Sequence, residues 1–181
     1  MADSAITKRA LAASLKSLMS EQPFSKISIG EICDRCEMNR KSFYYHFRDK
    51  YDLVNWIFER EFVSVSKTKS YSGTIEAFSD LCDYLYENRE FYRQALKIEG
   101  QNSFSECFTQ FCSLSFTKKL EAGCEDSELA EFQGKLLALS LKNAIDIWLS
   151  EKVCMNGRDF SERFVSFVKN TAAIICNGTQ K

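Results

Sequence analysis

Apolar residues recur along this chain at the spacing of amphipathic helices, and no run of β-branched residues alternates as a half-buried strand would. Ile6, Leu11, Leu15, Leu18 and Met19 form a first stripe, which Gln22-Pro23-Phe24 interrupts. Ser28-Ile29-Gly30-Glu31 has the Ser-x-x-Glu form of a capping box and opens a short second helix through Ile32 and Cys33. Cys36-Glu37-Met38 leaves room only for a turn. Asn39 suits the N-cap of a third helix reaching about Phe47, with Phe43 and Phe47, four apart, turned to the core. Asp49 then caps a fourth helix, carried to about Ser66 by Leu53, Val54, Ile57, Phe58, Phe62 and Val65.

Residues 67–74 are polar and predict a loop. Beyond it the pattern predicts helices at about 74–87, 89–98, 102–122, 127–151 and 158–176, with Gly100, Gly123 and Asn156-Gly157 as ending signals. The last two helices are the most continuously apolar. One holds Leu129, Phe132, Leu136, Leu137, Leu141, Ile145 and Trp148; the other holds Phe160, Phe164, Phe167, Val168, Ile174 and Ile175. One proline and seven glycines fit an all-α protein, and no internal repeat appears. The expected architecture is an N-terminal three-helix helix-turn-helix domain over 1–50, followed by a larger helical effector and dimerisation domain over 51–181.

Composition narrows the function more than the fold. With 45% apolar and 27% charged residues over 181 positions, the chain is globular. Residues 1–52 carry nine Lys/Arg against seven Asp/Glu, and the remainder fifteen against eighteen. That mild asymmetry permits nucleic-acid binding through a local patch and excludes a broadly basic binder. No apolar run approaches the roughly eighteen residues of a membrane span, and no secretory h-region opens the chain, so a cytoplasmic protein without a membrane partner is expected.

The eight cysteines then read as buried thiols. Cys33-x-x-Cys36 is the one spacing with chemical meaning, but there is no second such pair and one histidine in all, so packing explains it better than a metal. Neither Gly-x-Ser-x-Gly nor a glycine-rich phosphate loop is present. No catalytic residue, metal or cofactor is expected, and the chain is not read as an enzyme.

The informative chemistry lies in Asn39-Arg40-Lys41-Ser42-Phe43-Tyr44-Tyr45-His46-Phe47. A helix after a helix and short turn, with cations and hydroxyls off its core stripe, is the arrangement that enters the major groove. Arg40 and Lys41 can donate to guanine O6/N7 or to phosphates, and Asn39 or Ser42 can bond a base edge. Tyr44, Tyr45 and Lys50 can reach phosphates, and Ser28 heads a helix whose N-terminal amides favour an anion. Two roles fit His46, donation to phosphate or packing near the helix C-terminus.

Residues 6–62 resemble the N-terminal domain of the TetR family of transcriptional regulators. Three stretches carry the resemblance: Phe24-Ser25-Lys26-Ile27-Ser28-Ile29-Gly30-Glu31-Ile32, then Asn39 to Phe47, then Lys50-Tyr51-Asp52-Leu53. The resemblance implies that the third helix reads an operator through Asn39 to Ser42, and that Tyr44 and Lys50 touch phosphates. Glu37 departs from the pattern, because such turns commonly hold glycine where positive φ is needed. The stretch from Asn39 to Phe58, with Tyr84-Leu85-Tyr86-Glu87-Asn88-Arg89-Glu90-Phe91-Tyr92, is similar to a branch of the family that includes the activator of dihydroxyacetone kinase operons.

Three further expectations concern partners. The apolar surplus of 127–151 and 158–176 suits a two-fold interface of four helices between two copies, and a dimer would set two reading helices on a pseudo-palindromic double-stranded operator. Phe58, Phe62, Phe78, Tyr84, Phe91, Tyr92, Phe104, Phe108, Phe111 and Phe116 either line an effector cavity or form helical core. The effector is an unknown small molecule or protein. The alternative to a DNA-reading regulator is a helical interaction module that docks mainly another protein and binds DNA weakly.

Overall fold

A computed structural model describes residues 2–123 and 125–177, with side chains from Ser4 to Thr171 apart from residue 124. Cys124, and the side chains of Ile174, Ile175 and Cys176, fall outside the described residues. Helices α1 (Ala2–Glu21), α2 (Ile29–Arg35), α3 (Arg40–His46) and α4 (Lys50–Phe58) make the N-terminal part. The helical line of α4 continues through a wide turn at Glu59–Val63 into α5 (Ser64–Ser66). Then follow α6 (Thr74–Glu87), α7 (Arg89–Ala95), α8 (Phe104–Leu120), α9 (Ser127–Ser150) and α10 (Gly157–Asn177). Among the described residues there is no strand.

Most of the stripe residues read from sequence in α1 to α4 are buried, but Ile6 and Val65, at the outer ends of their stripes, are exposed. Leu11, Leu15, Leu18 and Met19 of α1 close over Ile32, Phe43, Phe47, Leu53 and Ile57. Ser14, buried on the same face of α1, donates to the Ile32 carbonyl at 2.6 Å. The caps are also in place: Asn39, Asp49, Ser103 and Asp126 each accept from the backbone amide three residues on.

Asn156-Gly157 differs from expectation. Rather than ending a helix, Asn156 begins one, accepting from the Asp159 amide at 2.8 Å as the cap of α10. Gly157 sits so close to the backbone of Cys82 and Asp83 in α6 that a methyl group would collide. Gly134 allows α9 to approach Thr117 of α8 in the same way.

The C-terminal core is aromatic. Phe58 contacts the rings of Phe62, Tyr84, Tyr92, Phe104, Phe108 and Phe111 at centroid distances of 5.4–6.4 Å. Trp148 stacks on Phe160 at 4.1 Å, joining α9 to α10, and its indole N–H donates to the Met155 carbonyl at 2.9 Å.

Polar side chains fasten the N-terminal helices to α6 and α7. Lys16 of α1 pairs with Glu61 at 2.8 Å and donates to Asn88 at 3.1 Å. The Tyr84 hydroxyl lies 3.1 Å from the same Glu61 carboxylate and 2.6 Å from the Tyr92 hydroxyl. Gln94 of α7 accepts from the Phe24 amide at 3.0 Å and donates to the Met19 carbonyl. Glu61 lies within the wide turn, where the Ser64 amide bonds the Glu59 carbonyl five residues back; wide turns of this kind are common where a helix carries function.

Candidate nucleic-acid interface

The third helix is built as a platform with one anchored face. Phe43 is fully buried and meets Phe47 at 5.8 Å, while Lys8 of α1 sits over the Phe47 ring at 5.5 Å. The opposite face is open: Tyr44 is 59% exposed and Tyr45 83%, and Arg40 and Lys41 are exposed beside them. Exposed adjacent tyrosines offer both ring surface and hydroxyl groups to a partner. Tyr45 packs edge-on to His46 at 4.9 Å, so the histidine ring is held against the exposed aromatic instead of the core.

Asn39 and Ser42 have a local structural duty. The Asn39 side-chain oxygen accepts from the Ser42 amide at 2.8 Å and from its hydroxyl at 3.1 Å, which leaves the Asn39 amide N–H groups as free donors.

Two of the residues expected at phosphates, Ser28 and Lys50, have partners within the protein. Ser28 and Glu31 form a complete capping box: the Glu31 amide donates to the Ser28 hydroxyl at 3.2 Å, and the Ser28 amide and hydroxyl both donate to the Glu31 carboxylate at 2.7 Å. Those hydrogen bonds hold the Glu31 carboxyl at about 2, well below the usual range. The Ser28 hydroxyl proton is therefore already committed, and a carboxylate stands beside it.

Lys50 is half-buried, with its ammonium on the Phe24 and Ile27 carbonyls at 2.8 and 2.7 Å and over the Phe24 ring at 4.4 Å. Burial pushes its pKa below the usual lysine value. It ties the loop before α2 to the start of α4. Arg40, Lys41, Tyr44 and Tyr45 thus share one exposed face, whereas Ser28 and Lys50 are bonded within the protein.

The turn carries the predicted strain. Glu37 has φ 54°, the left-handed region. Its amide donates to the Asp34 carbonyl at 3.3 Å and the Met38 amide to the Cys33 carbonyl at 2.9 Å, the paired bonds of a helix end that usually holds glycine at this position. Nearby, Cys33 is buried and the Cys36 thiol lies 3.3 Å from the Ile32 carbonyl, so the pair serves packing; burial raises both thiol pKa values.

The sequence model of the tetR family of bacterial regulatory proteins matches residues 8–57, and a model described as a transcriptional regulator C-terminal region matches residues 74–170. The chain belongs to the TetR family. A curated family relative, the HTH-type dhaKLM operon transcriptional activator DhaS of Lactococcus lactis subsp. lactis, is 31% identical over 100 residues, which are 55% of this chain and 54% of the relative. The chain thus spans about half the length of the curated relative it matches.

Among solved structures, the dihydroxyacetone kinase operon activator DhaS aligns with TM-score 0.65 at 20% identity, over 94% of this chain and 98% of its own. A TetR regulator from Streptococcus agalactiae 2603V aligns with TM-score 0.68 at 19% identity, over 92% and 95%. NalD, the secondary repressor of the MexAB-OprM multidrug efflux pump in Pseudomonas aeruginosa, aligns with TM-score 0.57 at 17% identity, over 92% and 95%. At these identities the structures establish the fold: a TetR-type helix-turn-helix part followed by a helical C-terminal part. The family is one of transcriptional regulators, not of enzymes.

Features outside α3 were only partly legible in the sequence pattern. A cavity of about 390 Å³ opens beside Phe62, Tyr71, Phe78, Phe111, Phe116 and Lys119. The aromatic residues were visible as candidates, but those in the core and those at the cavity share the same helical spacing. The outer face of α9 exposes Leu129, Phe132, Leu136, Leu139 and Ile147, of which Leu139 and Ile147 went unnoticed. Their spacing along the helix was the available signal. No helix among the described residues is long and apolar enough to cross a membrane.

Proposed function

We propose that this protein is a cytoplasmic, homodimeric TetR-type regulator that reads a pseudo-palindromic operator with α3, under control of an effector acting on its C-terminal region. The observation that carries the reading is the two-faced third helix, with Phe43 locked inside and Arg40, Lys41, Tyr44 and Tyr45 presented together outside. Lys41 and the tyrosine hydroxyls suit phosphates, and the free amide donors of Asn39 suit a base edge or a phosphate. His46, pinned to Tyr45, extends the same face.

The division of labour places DNA reading in 1–50 and effector response and pairing in 51–181. The apolar stripe on α9 supports pairing of two copies, because five large apolar side chains on one helix exceed what an isolated surface tolerates. The cavity near Phe78 and Lys119 supports a small, largely apolar effector.

Fluorescence anisotropy on a duplex that the protein selects from a randomised pool tests the DNA reading. Binding should weaken steeply with salt, and Lys41→Ala/Tyr44→Phe should lower affinity by roughly ten- to a hundredfold, with a salt slope shallower by about one phosphate. Wild-type affinity in that double variant would overturn the assignment of α3.

A further inference from the structure

Gly30 is the second residue of α2 and is buried, although it lies in the first turn of a surface helix. What covers it is the side chain of Arg40. A methyl group built on Gly30 would lie 2.6 Å from one terminal guanidinium nitrogen of Arg40, and 3.3 Å from both its central carbon and its Nε. Three guanidinium atoms that close to one point mean that the group is packed against the glycine, with the edge between its Nε and one terminal nitrogen turned to it, in the crease between α2 and α3. Arg40 is the first residue of α3, and side chains there lean toward the helix N-terminus, which directs this one onto α2.

Nothing else in the structure accounts for that placement. Among the described residues Arg40 has no carboxylate partner. Glu31, the residue after Gly30 in α2, is taken by Ser28 and by Gln22. The guanidinium is held by shape, through the side chain that position 30 lacks. Glycine is also a poor choice for the helix itself, disfavoured by about 1 kcal/mol against alanine within a helix. Arg40 as a residue nonetheless stays exposed, beside the exposed Lys41 and Tyr44.

We propose that Gly30 is a positioning residue for sequence reading: by leaving space beside Arg40 it seats the guanidinium in the crease between the two helices, with its remaining donors set to grip the O6 and N7 of one guanine. This rests on the DNA-reading function proposed above. A guanidinium fork gains from such fixing, because two parallel hydrogen bonds require a defined plane and less rotamer freedom is lost on binding. Alanine at position 30 would lift the fork out of the crease. The displaced atoms are the far end of a flexible chain, so the fold would accommodate them.

The test uses the full-length protein and a duplex that the wild type selects from a randomised pool, with each half-site base pair then replaced in turn. The expected result is that wild type and Arg40→Ala differ at one G·C pair, where wild type discriminates by roughly tenfold or more. Gly30→Ala should lose most of that discrimination at the same pair while melting no lower than wild type. Gly30→Ala/Arg40→Ala should bind like Arg40→Ala alone, because the glycine acts through the arginine.

Unchanged discrimination in Gly30→Ala would overturn the proposal and leave the DNA-reading function standing. A uniform loss across all base substitutions in Arg40→Ala, with a shallower salt slope, would also overturn it, by making Arg40 a phosphate contact. If the pool yields no enriched sequence, the DNA-reading function itself fails, and this inference with it.

Discussion

The two ends of the chain solve opposite problems with the same kind of element. In α3 the apolar side chains turn inward and the exposed face is polar, cationic and aromatic. In α9 the inner face holds Ala138, Leu141, Ile145 and Trp148, yet the outer face is apolar as well. A surface helix needs one apolar stripe to join a core. A second stripe needs a second partner. On the proposed function, the N-terminal surface is chemistry for a polyanion, and the C-terminal surface is area for a second copy of the chain. That difference makes the first end legible residue by residue and the second only as a pattern.

The largest expected effect strikes the C-terminal end. Phe132 is 60% exposed and Leu136 49%, so replacing them harms no core of the single chain. Phe132→Asp/Leu136→Asp should weaken self-association by about a hundredfold or more, since apolar anchors at an interface centre dominate its energy. Sedimentation velocity reads this directly. A variant that stays dimeric at the same concentrations while keeping its melting temperature would move the interface off α9.

A smaller effect separates reading from support within the N-terminal end. Lys50 looks like a phosphate contact in the sequence and like an internal tie in the structure, where its ammonium meets two carbonyls. Lys50→Met should cost about 1–2 kcal/mol, as expected for bonds from a charged donor that is still partly in water. For a chain of this length the melting temperature would fall by about 3–6 °C. The salt slope of operator binding should stay as in wild type. A slope reduced by about one, with unchanged melting, would show the lysine swinging out to a phosphate.

Lys50 also shows where sequence reasoning stops. Helix positions were legible because caps and stripes are local: Ser28, Asn39 and Asp49 each sit where their own next turn needs an acceptor. Phe43 and Phe47 were assigned inward on spacing alone, and both are buried. Contacts between segments distant in sequence were not legible. The Lys50 partners lie 26 and 23 residues away, the Gln94 partner Phe24 lies 70 away, and the Lys16 partner Glu61 lies 45 away. The wide turn that carries Glu61 leaves no mark in the apolar pattern, because Phe58 and Phe62 fit an ordinary helix equally well. The role of Gly30 likewise depends on Arg40, ten residues on, whose guanidinium packs against it.

The smallest effect concerns the turn between α2 and α3, where the sequence conflicts with its own backbone. Glu37 holds φ 54°, at a cost of about 1–2 kcal/mol for a residue with a side chain. Glycine removes that cost but gives back part of the gain through the greater freedom of the unfolded chain. Glu37→Gly should therefore stabilise by only about 0.5 kcal/mol, or about 1–2 °C in melting temperature. The same change deletes a carboxylate from the turn that precedes Arg40 and Lys41, so operator affinity should rise, most clearly at low salt where repulsion from phosphates is least screened. Glu37→Gln separates the two causes, because it removes the charge and keeps the strained side chain. If Glu37→Gln reproduces the affinity gain without the gain in melting temperature, charge and strain act independently at this turn. If neither variant binds more tightly, the Glu37 carboxylate lies too far from the phosphates to matter, and the reading face begins at Asn39.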